Sequence, residues 1–118
     1  MVKNAQITKT SLGKEDHGIM TCWLHLTYGA AGQGFGGYYL GSYGKRPNKK
    51  TGYGIEAISR IIDVVGVANW EDLKGKYIRV RFTDKPSGFG HEIDAIGHII
   101  EDKWFSFKEF AKELPDEN

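Results

Sequence analysis

Three stretches of this sequence hold residues whose types and spacing could do chemistry. The first is Gln33-Gly34-Phe35-Gly36-Gly37-Tyr38. Glycines lack a Cβ, so a ligand or another chain can lie directly against such a backbone. Bare N–H groups can also form a nest for an anion. The run lacks the Gly-Lys-Ser/Thr ending of a phosphate loop and the strand-to-helix setting of a dinucleotide fingerprint. Its alternative reading is a kinked strand at a barrel corner, or a strand packed closely on a helix. The second stretch is Tyr77, Arg79 and Arg81, alternate residues of one strand face. An aromatic ring among guanidinium groups can stack on bases and pair with phosphates. The same spacing also describes a solvated face with scattered cations. Trp23 and His25 join this set if their strand shares the face. The third stretch is Glu15-Asp16-His17, whose acid beside a histidine suggests general acid–base work. Adjacent residues on a turn seldom converge on one substrate atom, so a charged turn is the expected role.

Other reactive residue types point away from catalysis. His17, His25, His91 and His98 form no helical His-x-x-x-His pair with a glutamate, so no metal site is expected. His98 reads as a satisfied, half-buried histidine. Cys22 is the single cysteine. It allows no intrachain disulfide and no Cys-rich metal site, and its apolar alternating segment predicts a buried, inert thiol. No Gly-x-Ser-x-Gly elbow is present. The expectation is a binding protein without catalytic residues and without a cofactor. Trp70 and Trp104 are expected to anchor a loop or helix to the core, or else to line a subunit interface.

The elements that must position these residues follow from periodicity. Residues 2–11 predict a first strand, and Leu12 to Gly18 a turn. Residues 19–28 predict a second strand, with Cys22, Leu24 and Leu26 on one face and Thr21, Trp23, His25 and Thr27 on the other. A loop from Gly29 to Gly32 leads to a third strand over 34–41. A basic loop from Ser42 to Gly52 follows, in which Lys45 and Arg46 could fold over a bound anion as a lid. Residues 53–65 take a helical period, with Ile55, Ile58, Ile61, Ile62 and Val65 on the apolar face and Gly66 as the C-terminal cap. Asn69 to Leu73 reads as a short helical turn. Residues 76–83 alternate strictly, with Ile78, Val80 and Phe82 inward. Pro86 to Gly90 reads as a turn and 91–100 as another strand. Ser106 opens a last helix with Glu109 at capping-box spacing. Phe107, Phe110, Ala111 and Leu114 form its apolar face, and Pro115 ends it.

The fold class is therefore α+β: a strongly bent antiparallel sheet or small barrel, in the order β-β-β-α-β-β-α, with two helices packed on it. The 118 residues suit a single domain, 1–118. Three strands, a helix and two strands is also the order of an OB-fold. A net charge of +1 is not the strongly basic balance of a protein that grips duplex DNA. The sequence has no membrane-length apolar run and no secretory signal, so no membrane contact and a cytoplasmic location are expected.

Glu15-Asp16-His17-Gly18-Ile19, Gln33 to Tyr38, Val65-Gly66-Val67 with Trp70-Glu71-Asp72-Leu73, and Ile96-Gly97-His98 with Asp102-Lys103-Trp104-Phe105 resemble a family of small phage and prophage proteins. The resemblance covers roughly residues 3 to 108. By analogy it implies an anti-defence role in the bacterial host cytoplasm, like the sponge proteins that sequester cyclic-nucleotide signals of Thoeris- or CBASS-type immunity. The leading expectation is a small nucleotide-derived anion bound without catalysis, in a homo-oligomer. Its binding residues would be Trp23, Gln33, Gly34, Phe35, Gly36, Gly37, Tyr38, Lys45, Arg46, Tyr77, Arg79 and Arg81. The alternatives are an inhibitor that binds a host defence protein, of anti-CRISPR type, and an OB-like single-stranded nucleic-acid binder.

Overall fold

Strand β2 (Ile19–Tyr28) is the organising element of the sheet. Its alternation places Cys22, Leu24 and Leu26 in the core and leaves His25 and Thr27 exposed. Thr21, expected on the outer face, is buried. The structure, a computed structural model, describes residues 1–15, 18–41, 52–87 and 90–113. The Lys45 and Arg46 lid, Asp16 and His17, and Leu114 and Pro115 lie outside the described residues.

Strand β1 (Val2–Glu15) pairs antiparallel with β2 from Gln6↔Thr27 to Glu15↔Ile19. The expected turn from Leu12 is instead strand, since the ladder runs on to Glu15. A bulge between Ile7 and Lys9 explains the imperfect alternation of this strand. The extra residue, Thr8, donates its hydroxyl to His25 O at 3.1 Å. Strand β3 (Ala31–Gly36) returns along β2 after a turn at Gly29, where φ is +64°. It is shorter than the expected 34–41.

Helix α1 (Tyr53–Val65) buries Tyr53, Ala57, Ile58, Ile61, Val64 and Val65. Ile55 was expected on this face but is 72% exposed. The buried stripe runs through Tyr53 and Ala57 instead, which turns position 55 to solvent. Gly66 ends the helix at φ +89°, with its N–H and that of Val67 both reaching Ile62 O. A 3-10 turn over Trp70–Asp72 follows.

Strand β4 (Tyr77–Ser87) buries Ile78, Val80 and Phe82 and pairs with β1. Strand β5 (Gly90–Gly97) pairs with β4 as far as Ser87↔Gly90, so the strands take up Pro86, Ser87 and Gly90 of the expected turn, whose Gly88 and Phe89 lie outside the described residues. A short strand that periodicity missed, β6 (Trp104–Phe105), pairs with the end of β5. Helix α2 (Phe107–Glu113) buries Phe107 and Phe110. Ser106 Oγ accepts the Glu109 N–H at 3.4 Å, but the Glu109 carboxylate reaches Arg81 instead of closing the capping box.

The six strands form one antiparallel sheet in the order β3-β2-β1-β4-β5-β6 with two helices, and the sheet is not closed into a barrel. It bends enough that β3 meets β5 through one side chain. Gln33 Nε2 donates to His91 O at 2.7 Å and Ile93 N–H donates to Gln33 Oε1 at 3.0 Å. The core inside this curve joins Ile7, Leu24, Ile61, Ile78 and Ile96 to an aromatic set of Phe35, Phe105, Phe107 and Phe110. No helix among the described residues is long and apolar enough to cross a membrane.

Candidate functional site

Where β3 and β5 fail to pair, they leave a cleft of about 240 Å³. Gln33 spans one part of the gap. The glycine run lies along one side and Glu92 to Asp94 of β5 along the other, with Tyr38, Thr83, Phe107 and Lys108 also in the lining.

Trp23 explains the glycines. A Cβ at Gly34 would lie 2.9 Å from the Trp23 ring, and one at Gly37 would lie 2.2 Å from it. The indole therefore lies across both bare backbones. Gly37 also takes φ +79° and donates its N–H to Cys22 O at 2.8 Å. That bond fixes the ladder's alternation, which turns the backbone N–H and C=O of Gly34 away from β2 and toward the cleft. The Trp23 N–H donates to Glu15 Oε1 at 2.8 Å, and the ring stacks with His25. The close approach expected of the glycine run is thus made first by a tryptophan of the neighbouring strand.

Six of the expected binding residues line this cleft: Trp23, Gln33, Gly34, Phe35, Gly36 and Tyr38. Gly37 stands just behind it under Trp23. Phe35 is 4% exposed and belongs mainly to the core. Gln33 has every donor and acceptor role it uses directed at protein, since Nε2 also donates to Tyr28 Oη at 2.8 Å. Tyr38 packs on Phe107 with ring centroids 5.0 Å apart and keeps an exposed face.

The structure does not bring the arginines into the cleft as free cations. Arg79 stacks on Trp104 with its guanidinium carbon 4.9 Å from the ring centre, and donates to His98 O and Glu101 O. Arg81 donates to Asp94 Oδ2 through Nε at 3.2 Å and Nη2 at 2.9 Å, and to Glu109 Oε1 at 2.7 Å. The Glu109 hydrogen bond and the Asp94 carboxylate push its pKa above the ordinary value, against the opposing effect of partial burial. Tyr77 is exposed on the outer face, linked across the sheet to β2 because Gln6 pairs with both Tyr77 and Thr27. Trp23 and His25 do share that outer face.

Arg81 does serve the cleft indirectly, because it holds Asp94 at its rim. Glu92, Asp94 and Lys108 were not singled out by sequence, and Phe107 was read only as part of the last helix's apolar face. The available signal was weak: two carboxylates two residues apart on a strand, and a lysine in the first turn of a helix. The charges here are two carboxylates and one ammonium, so the described lining favours N–H donors over a bare polyanion.

Cys22, His98 and Trp104 each sit in surroundings that account for them physically. Cys22 is buried, and burial pushes its thiol up to about 12. His98 Nδ1 accepts the N–H groups of Ile100 and Glu101 at 3.1 and 2.9 Å, as a satisfied loop histidine should. Trp104 anchors its loop over Gly97, where a Cβ would lie 2.6 Å from the ring. Among the described residues no three His, Cys, Asp or Glu side chains converge in a way that could hold a metal ion. The chain matches no family model and no curated protein.

Proposed function

We propose that this chain is a binding domain that holds a small nucleotide-derived ligand in the β3–β5 cleft without chemical change. The observation that carries this reading is the cleft's lining. Aromatic rings of Trp23 and Tyr38, the latter backed by the buried Phe107, two carboxylates and one lysine converge on a space of about 240 Å³. Such a space suits one base, with rings to stack on it and polar groups to fix its edge. The carboxylates face the base, and Lys108 at the rim meets the phosphate. In the setting of the small phage proteins the sequence resembles, this binding would remove a host immune signal, and a second copy of the chain would complete the enclosure.

The test is thermal shift against cyclic di- and trinucleotides, cyclic ADP-ribose isomers, mononucleotides and oligo-dT. A ligand of the folded state raises the melting temperature by mass action. Stabilisation by a small nucleotide, lost in Lys108→Ala and Tyr38→Ala, supports the reading. No stabilisation by any small nucleotide overturns it.

A second reading rests on a separate observation. The pairing order β3-β2-β1-β4-β5, with α1 between β3 and β4, follows the strand arrangement of an OB-fold. Trp23, His25 and Tyr77 on its outer face would then stack on single-stranded nucleic acid. Stabilisation by oligo-dT alone, weakened by Tyr77→Ala and by added salt, would select this reading.

A further inference from the structure

Resting on the nucleotide reading of the cleft, we infer that it prefers guanine over the other bases. The cleft offers acceptors more than donors. Glu92 is exposed on β5 and lines the cleft. Asp94, two residues on, has Oδ2 engaged by two Arg81 nitrogens, which leaves Oδ1 for a further donor. The Gln33 amide adds nothing, because it is committed to Tyr28, His91 and Ile93.

Bases differ in what they present to such a wall. Guanine carries an imino N–H and an amino group side by side, so one carboxylate accepts both in a bidentate, charge-assisted pair. Adenine and cytosine set their amino group beside a ring nitrogen with a lone pair, which a carboxylate repels. Uracil offers a single imino N–H between two carbonyls. A wall with two carboxylates therefore discriminates by leaving the wrong base with acceptor facing acceptor. The aromatic rings of Trp23 and Tyr38 are indifferent to base identity, and Lys108 answers the phosphate common to all nucleotides.

The experiment is calorimetric titration of the full chain with GMP, IMP, AMP, CMP and UMP at one salt concentration. GMP is expected to bind about tenfold or more tightly than AMP, CMP and UMP. IMP lacks only the amino group of GMP and should lose about tenfold. Glu92→Gln, at an exposed position, should erase most of GMP's advantage, and Asp94→Asn should reduce it further. Equal binding of GMP and AMP, or a GMP preference that survives both substitutions, overturns the guanine assignment while leaving the cleft as a nucleotide site. No heat with any of the five, together with no thermal shift by any small nucleotide, overturns both.

Discussion

At the scale of single residues, Trp23 and its glycines form one unit. The indole needs bare backbone at Gly34 and Gly37, so a methyl at either position collides with a ring that cannot move without uncovering β3. Gly37→Ala also forces an L-residue into a positive φ. We predict a loss of about 2–3 kcal/mol for Gly37→Ala in urea unfolding. Gly34→Ala should cost less in a Trp23→Ala background than in the native chain, because the ring it strikes is gone. Additive effects in that double-mutant cycle would sink the assignment. Cys22 gives a second residue-scale prediction. The thiol's folded-state value of about 12 lies above its ordinary 9.0. The folded state therefore keeps the proton while the unfolded chain loses it, and stability should fall as pH rises from about 9 towards 12. Cys22→Ala should flatten that part of the profile. Below pH 9 the native thiol should resist alkylation until the chain unfolds. The glycine-rich run and the inert thiol were both legible as patterns. The partner of the glycines was not, because Trp23 meets them only across a strand ladder.

At the scale of elements, helix α1 shows how local rules and packing divide the work. Its cap was readable, since a glycine after a periodic apolar segment marks a C-terminus. Gly66→Ala should cost about 1–2 kcal/mol, from its φ of +89° and from a Cβ that would sit 3.3 Å from His98 Nε2. Equilibrium unfolding measures it, and an unchanged midpoint would count against the cap. Which face the helix buries was less readable. Isoleucine at 55 fits the helical period, yet Tyr53 and Ala57 take the core positions because the aromatic ring of Phe110 lies at 5.0 Å from that of Tyr53. Strand β6 went unseen for a related reason. Two residues carry no periodicity, and the strand exists because Phe105 and Trp104 pair with Ile96 and Gly97.

At the scale of the whole molecule, the decisive contact is Gln33. Two hydrogen bonds hold the free edge of β3 near β5 in place of a strand ladder. Gln33→Leu would leave His91 O and Ile93 N–H unpaired beside the core. We predict a loss of about 2–3 kcal/mol and faster hydrogen exchange at the Ile93 amide. Unchanged exchange at Ile93 would mean that the seam is held by packing alone. The same substitution should weaken any ligand of the cleft more than it lowers stability elsewhere, since it frees both walls.

The sequence by itself determined the α+β class, the inward faces of β2 and β4, the capped helix and the buried cysteine. Each is a local consequence of side-chain period or backbone freedom, which neighbouring residues carry. Only the tertiary structure decided that the glycines serve Trp23, that Arg79 and Arg81 are bound by carbonyls and carboxylates, and that Glu92, Asp94 and Lys108 face a cleft. These outcomes join residues dozens of positions apart, such as Gln33 with Ile93 and Arg81 with Glu109. Such meetings depend on how far the sheet bends, and no periodicity along the chain encodes that curvature.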